Sequence, residues 1–382
     1  MRIASVVGTR PQLIKAAALQ PVLRSRHTEV FIDTGQHWDD AMAGSFFREL
    51  SLAKPDYLLG AGGGSHAGQT AAMLTALEPV LQAERPDAVL VYGDTNSTLA
   101  GALVAAKLGL PVAHVEAGLR SFDRRMPEEL NRVVVDHLAS WCFAPTRSAV
   151  ENLRVEGIVD GVTLVGDLMQ DLAARVSPGV RDPAVLDEVR RALGTAAGDV
   201  VLAPGSYLFA TIHRQENREP AAMAAWSDLV TRIANPDRPV IVALHPGTRR
   251  ALEQERVSLG GNVVVIEPQG YRISLALQLH AAAVLTDSGG VQREAAWLGV
   301  PCLVLRDSTE WSEAVEGSAG RMVVIGRDPG RAIAELLVLA PHEESGRLAR
   351  DRASGLDLKS GGAAAAIIDA LEPAGPDIRS QP

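Results

Sequence analysis

The stretch LTDSGGVQREAAWLGVP, Leu285 to Pro301, ends an apolar run on an acid, a serine and two glycines, and then turns helical. Asp287 or Ser288 can cap a helix that starts near Val291, and Gly299 can end it. Gly289 and Gly290 let the backbone come close to a ligand, while open N–H groups and the helix dipole favour an anion. Alone, the tetrapeptide is better read as a capped helix after a strand. The phosphate reading gains from a second corner. GTRPQLIK puts Arg10 at a strand end, Pro11 at a first helical position and Lys15 one turn on, and an Arg and a Lys converging on one site suit a diphosphate. Glu294, one turn into its helix, is placed to accept from a ribose hydroxyl, although most such glutamates are only solvated. Neither corner has the dinucleotide glycine fingerprint or the P-loop lysine, so NAD and ATP are not indicated.

A second group of residues suits proton transfer. YGDTNSTLAG puts Asp94 after one strand, and HVEAGLRSFDRRMPEELNR puts Glu116 after the next, followed by Glu128, Glu129 and Arg132. Carboxylates held close together push their pKa values apart, which gives one an acid's role and another a base's. Taken singly, Asp94 reads as well as a helix N-cap, and Glu116 as an ion-pair partner of Arg120 or Arg124. His213, in TIHRQEN, is a general acid or an electrostatic aid to a leaving phosphate, or a structural hydrogen-bonder. No His/Cys/Asp cluster has metal spacing and no nucleophile elbow is present, so neither a metal nor another cofactor is expected.

Elements must bring these groups together. Short β-branched runs alternate with Ala/Leu-rich segments. RIASVVG, EVFID, DAVLVYGD, PVAHVEAG, WCFAP and VTLVGD form a first series; YLFATIH, PVIVALH, NVVVIEP, AVLTD, PCLVLRD and RMVVIG form a second. The alternation predicts an α/β chain with parallel sheets and helices on both faces. Ligands of such sheets bind beyond the carboxyl ends of strands, where polar residues accumulate here: Gly8-Thr9-Arg10, Gln36-His37, Asp94, Glu116, His213, His245, Gln269 and Asp287. We expect two Rossmann-like domains with a cleft between them. Residues 1–170 form the N-terminal domain with the carboxylates, 171–365 the C-terminal nucleotide-binding domain, and 366–382 a helix and frayed tail that can return to the first. Residues 176–200, rich in Pro, Gly and charge, read as the crossover.

The totals agree. The 382 residues suit two domains, and 47% apolar with 22% charged residues is ordinary for a globular chain. A net charge of −9 argues against nucleic-acid or membrane-surface binding but leaves room for a local basic pocket. Cys142 and Cys302 sit in apolar runs and read as small buried hydrophobes. MRIASVVGTRPQ has no signal-peptide h-region and no apolar run reaches membrane-span length, so a cytoplasmic protein is expected.

In order and spacing, GTRPQLIKAAAL, TGQHWDDAM, YGDTNSTLAGALVAAKLGLPVAHVEAGLRS, MPEELNR, TIHRQEN, IEPQGY and TDSGGVQREAAWLGVPCLVLRDSTE resemble the non-hydrolysing UDP-N-acetylglucosamine 2-epimerases nearly end to end. The resemblance implies a glycosyltransferase-B-like fold, a homodimer, a UDP-sugar substrate, and no metal or nicotinamide. It implies that UDP leaves C1 as a proton leaves C2, and that both return with C2 inverted. By motif position Asp94, Glu116 and Glu128 match the catalytic carboxylates. Arg10, His213, Ser288, Gly289 and Gly290 would stabilise the departing diphosphate. Lys15 and Arg132 match sugar and phosphate contacts, Gln269 with Tyr271 in IEPQGY the uridine side, and Glu294 the ribose ligand.

The departures are informative. TEWSE replaces the usual TERPE, so Trp311 stands where a ligand-contacting Arg is expected; Arg306 or Arg321 compensates, or the binding mode differs. Gln12 replaces a Glu, and Ser274 replaces a larger residue near the base. Asp39 and Gly68 replace a Gln and an Arg of members activated by a second UDP-GlcNAc, which implies weak or absent activation. These changes also suggest a relative acting on a modified sugar, such as a UDP-2,3-diacetamido-sugar or its uronic acid. The competing class is a glycosyltransferase of the same architecture, which would not need three carboxylates at the first domain's strand ends.

Overall fold

The strands form where β-branched residues can be buried on both faces, as in Ala88–Tyr92, all of whose residues are buried. In the computed structural model, residues 1–36, 47, 49–194, 198, 200–244, 246–309 and 311–371 are described. His37, Asp39, His245 and the tail from 372 lie outside them.

The chain divides into two compact units, Met1–Leu172 with Ser360–Pro382, and Ala173–Lys359. The sequence reading placed these divisions at 170/171 and 365/366. Among the described residues the first unit holds β1 (Arg2–Val7), β2 (Thr28–Asp33), β3 (Tyr57–Leu58), β4 (Ala88–Tyr92), β5 (Val112–Val115), β6 (Trp141–Ala144) and β7 (Val162–Leu164). They form one sheet in the order β3-β2-β1-β4-β5-β6-β7. Every pair is parallel. The second unit holds β8 (Leu208–Ile212), β9 (Val240–Leu244), β10 (Val263–Ile266), β11 (Ala283–Thr286), β12 (Cys302–Val304) and β13 (Met322–Val324). Their order is β10-β9-β8-β11-β12-β13, again all parallel. Each sheet changes winding direction beside its first strand, β1/β4 in one and β8/β11 in the other, and the crevice at such a point is where open sheets bind ligands.

Each unit has its own core. Val6, Ile32, Val91, Leu77 and Val104 belong to the first; Leu208, Trp226, Val242, Leu285 and Leu336 to the second. Cys142 and Cys302 are buried and unpaired, and burial pushes the Cys302 thiol up to about 12.

Two segments differ from expectation. The 176–200 stretch does not run as a plain crossover. It contains a 3-10 turn, Ser177–Val180, and a helix, Val185–Leu193, whose Val185, Leu186, Val189 and Leu193 are buried. This helix packs on the helix Tyr271–His280, and Arg272 Nη2 donates to the Gly179 carbonyl at 2.8 Å. Its prolines and charges hid an apolar stripe at helical spacing. β3 was absent from the sequence reading because two residues make no run. The C-terminal helix Ala363–Leu371 lies in the first unit, against the helix Arg10–Arg26, with Ile367, Ile368 and Leu371 buried. Asp171 receives it by accepting from Ser360 Oγ at 2.6 Å, Gly362 N at 2.9 Å and Ala364 N at 2.8 Å.

Candidate active site

In the first unit, register decides which groups meet. Tyr92 of β4 lies opposite Val115 of β5, so Asp94 and Glu116 leave from neighbouring strand ends. Gly93 N donates to the Val115 carbonyl at 2.9 Å and closes the pair. The helix Arg10–Arg26 starts at the next strand end, and Lys15 on its second turn reaches across. Its Nζ donates to Glu116 Oε1 at 2.8 Å, both side chains being nearly buried. Gly93 has φ +63, and a Cβ there would sit 3.2 Å from Lys15 Nζ. A side chain at 93 would therefore be strained and would crowd the pair. Glu116 itself has φ +70, in the left-handed region that non-glycine residues rarely adopt. Strain of this kind persists where surrounding structure over-determines it, as at functional sites.

Asp94 pairs with Arg132 through Oδ2 and Nη2. Arg132 also binds Glu129 Oε2 at 3.0 Å, and Asn131 Nδ2 donates to the Asp94 carbonyl at 2.9 Å. Two alternatives left open by the sequence are thereby resolved. Thr95, not Asp94, caps the helix Asn96–Lys107. Glu116 pairs with Lys15, while Arg120 binds Asp136 at 2.7 Å and Glu156 at 2.6 Å. Glu128 is exposed on the first turn of the helix Pro127–Leu138 and makes no ion pair or hydrogen bond among the described residues. Its neighbour Glu129 is buried and accepts from Ser121 N, Ser121 Oγ and Phe122 N at 2.9 Å each. Burial works to raise the Glu129 carboxyl, but the Ser121 and Phe122 hydrogen bonds and Arg132 outweigh it and hold it below the usual range. Gln12 does what a capping-box Glu would do and more. Its Oε1 accepts from Gly8 N at 2.8 Å and Thr9 N at 3.1 Å, and its Nε2 donates to the Tyr92 carbonyl at 2.7 Å. The helix start is thus tied to the end of β4.

Beneath these carboxylates lies a network that sequence reasoning missed. His114 is fully buried in β5. Its Nδ1 lies 2.7 Å from Asp136 Oδ1, and its Nε2 lies 2.7 Å from the Gly93 carbonyl. Asp136 Oδ2 accepts from Gly118 N at 3.1 Å and pairs with Arg120. The network fixes the turn carrying Asp94 and the loop after Glu116. One signal was available: Asp136 interrupts the apolar run of VVVDHL. Burial works to raise the Asp136 carboxyl, and His114 and Arg120 outweigh it, so its pKa lies below the usual carboxylate value. A depressed folded pKa gives stability that is present above the unfolded value, about 3.9, and is lost as pH falls through the folded value. Asp136→Asn is accordingly expected to cost about 2 kcal/mol near neutrality. The gap from wild type should narrow below about pH 4 in urea unfolding followed across pH. A gap that widens on acidification would contradict this role.

In the second unit, His213 follows β8 and Asp287 follows β11, whose registers put Thr211 opposite Thr286. Asp287 caps no helix. Its buried carboxylate accepts from His213 N at 3.0 Å, Arg214 N at 3.0 Å and Asn217 Nδ2 at 2.5 Å. Asp287 therefore braces the turn that carries His213. The helix starts earlier than expected, at Gly289, with Ser288 at the N-cap and no side-chain capping bond. Ser288 N donates to Thr286 Oγ1 at 2.9 Å. Gly290 is the second helical residue, and Gly299 follows the helix with φ +67. Glu294 is buried and accepts from Gln278 Nε2 at 2.6 Å, which ties its helix to that of Tyr271. Tyr271 and Arg306 are buried; Gln269 Nε2 donates to the Glu267 carbonyl at 2.8 Å. Arg10 and Lys15 lie in the first unit, while His213, Gln269, Ser288, Gly289, Gly290 and Arg306 lie in the second. Among the described residues, no group of three or more His, Cys, Asp and Glu side chains is placed to hold a metal ion. No helix there is long and apolar enough to cross a membrane.

Two parallel α/β units, each with its charged groups at carboxyl strand ends, define the class: a Rossmann-like, glycosyltransferase-B-like protein. A sequence model of the family described as UDP-N-acetylglucosamine 2-epimerase matches residues 22–372. A Pseudomonas aeruginosa UDP-2,3-diacetamido-2,3-dideoxy-D-glucuronate 2-epimerase is 42% identical over 334 residues, 86% of this chain and 90% of that protein. A Methanocaldococcus jannaschii UDP-N-acetylglucosamine 2-epimerase is 42% identical over 340 residues, 85% of this chain and 88% of that protein. The crystal structure of the M. jannaschii UDP-GlcNAc 2-epimerase in complex with UDP-GlcNAc and UDP aligns with a TM-score of 0.81 at 36% identity, covering 97% of this chain and 99% of that one. The chain belongs to the UDP-N-acetylglucosamine 2-epimerase family.

Proposed function

We propose that this chain is a non-hydrolysing UDP-sugar 2-epimerase that interconverts UDP-GlcNAc and UDP-ManNAc. The observation that carries the reading is the pair of braced carboxylates, Glu116 on Lys15 and Asp94 on Arg132, at the ends of adjacent strands. In the proposed reaction one carboxylate takes the C2 proton, the C1–oxygen bond to the diphosphate breaks, and a 2-acetamidoglucal and UDP result. A proton then returns to the other face of C2 and UDP adds back at C1, so nothing is consumed and no redox partner is needed. The C2 hydrogen is weakly acidic, so departure of the diphosphate leads. Arg10, His213 and the Ser288-Gly289-Gly290 corner stabilise the charge that builds on it. Glu128, exposed on its helix, is the third carboxylate available to the sugar. Gln269, Tyr271 and Glu294 serve the uridine and ribose, and Arg306 the nucleotide side.

The 42% identity to the P. aeruginosa protein supports a second reading, a UDP-2,3-diacetamido-sugar or its uronic acid as the sugar. A homodimer goes with either reading, and exposed Phe122, Leu130 and Val134 support it with apolar surface near the site. A cytoplasmic place in polysaccharide-precursor synthesis completes the proposal.

The test is NMR of the purified protein with UDP-GlcNAc in deuterated water. Deuterium at C2 with a manno-configured product is expected. No exchange, with UDP still bound, would exclude the common substrate and favour the modified sugar or a glycosyl transfer. Free sugar plus UDP would replace epimerisation with hydrolysis.

A further inference from the structure

The helix Tyr271–His280 buries an amide where an apolar side chain would pack without penalty. Gln278 is fully buried, between Leu277 and Leu279 in a run of buried residues. Its Nε2 donates to Glu294 Oε2 at 2.6 Å, while its Oε1 is buried without a hydrogen-bond partner among the described residues. The end of the helix that carries Gln278 is clamped from other sides. The Tyr207 hydroxyl donates to the Leu277 carbonyl at 3.0 Å. Arg352 Nη2 donates to the Leu279 carbonyl at 2.8 Å and to the Ala281 carbonyl at 2.6 Å. His280 Nε2 lies 2.8 Å from the Val180 carbonyl.

A buried amide oxygen that lacks a donor costs stability, and leucine or methionine at 278 would not carry that cost. What the glutamine supplies in return is a donor to Glu294, itself only 4% exposed. A carboxylate turns about a broad terminal torsion, so packing alone sets its plane loosely. An amide held on a clamped helix end fixes that plane by engaging one oxygen. The remaining lone pairs then face set directions, which is what selection of a ligand by its hydroxyls requires. Gln278 also lies seven residues after Tyr271 and four after Ser274, so the three share a helix face. The face that begins at the uridine side of the proposed site therefore reaches Glu294 two turns later. Resting on the reading of Glu294 as the ribose ligand, we propose that Gln278 is a positioning residue for the nucleotide: its amide fixes the Glu294 carboxylate in the orientation that recognises the ribose hydroxyls.

Calorimetric titration of the full chain with UDP and with its 2′,3′-dideoxy analogue tests this, since the two ligands differ only in the ribose hydroxyls. Wild type should bind UDP about 10- to 100-fold more tightly than the analogue. Gln278→Leu should reduce that preference about 5-fold or more, by weakening UDP and leaving the analogue unchanged. In a Glu294→Gln background the same substitution should not alter the preference further, because Gln278 acts through Glu294. Equal weakening of both ligands by Gln278→Leu would make Gln278 a structural tie between helices and overturn the inference. An unaltered preference, or a further loss in the Glu294→Gln background, would overturn it as well. Should Gln278→Leu not fold, Gln278→Met, closer in length, gives the same readout: wild-type preference overturns the inference, and a loss confined to UDP supports it. A wild-type protein with no preference, or a Glu294→Gln variant that keeps the full preference, would instead overturn the ribose assignment of Glu294 on which the inference stands.

Discussion

Glu116→Gln is expected to lower turnover by about 10²- to 10⁴-fold, the range that a positioned general base supplies, and to leave UDP affinity unchanged. Glutamine keeps the shape and loses the basicity, and the proposed diphosphate contacts are on other residues. The complication is Lys15, whose Nζ sits 2.8 Å from Glu116 Oε1, because the glutamate also anchors that cation. A double-mutant cycle with Lys15→Met separates the roles. If Glu116 only orients Lys15, the double variant turns over no more slowly than Lys15→Met. If Glu116 moves the C2 proton, the double variant falls well below it, and solvent deuterium stops entering C2. Turnover of Glu116→Gln close to wild type would remove Glu116 from the chemistry altogether.

The second large effect is on stability. Asp287→Ala should cost about 3–5 kcal/mol, as expected when one partner of a buried charged network is removed. The carboxylate accepts from two backbone N–H groups and from the Asn217 amide, which also accepts from Arg327 Nε at 2.9 Å. Alanine leaves these donors buried without an acceptor. Because the chain forms two units, urea unfolding of the variant should show the transition of Ala173–Lys359 moved to lower denaturant and that of the other unit unmoved. Movement of both transitions together, or of neither, would mean that Asp287 does not brace the second unit. Activity should fall as well, since His213 hangs from the same turn.

Much of this was legible in the sequence because parallel sheets bury both faces. Most strands here carry an apolar run such as DAVLVYGD or AVLTD, and the first polar residue after the run falls at the carboxyl end of the sheet. Asp94, Glu116, His213 and Asp287 could be found that way. Their partners could not. Lys15 meets Glu116, and Arg132 meets Asp94, through register and helix direction, neither of which a single run displays. The roles of neighbours were also hidden. Asp287 and Ser288 look alike as caps, yet one carboxylate turns back to a separate strand end. Glu128 and Glu129 are adjacent, and only helical phase decides that 129 is buried and 128 exposed. Trp311 read as a missing Arg, while its structural meaning is the guanidinium of Arg293 above it. His114 and Asp136 sat in apolar runs, where burial masked their polarity.

Asp171 fastening Ser360, Gly362 and Ala364 has a consequence for biosynthesis. The second unit is an insertion whose entry and exit are held side by side, and the first unit is finished by Ile367, Ile368 and Leu371. On a ribosome, the face of the helix Arg10–Arg26 that receives Ala363–Leu371 therefore stays uncovered while the whole inserted unit is translated. Ala173–Lys359 can reach its native state first. The nascent chain carries that uncovered face through synthesis of the inserted unit, until the last helix emerges and covers it.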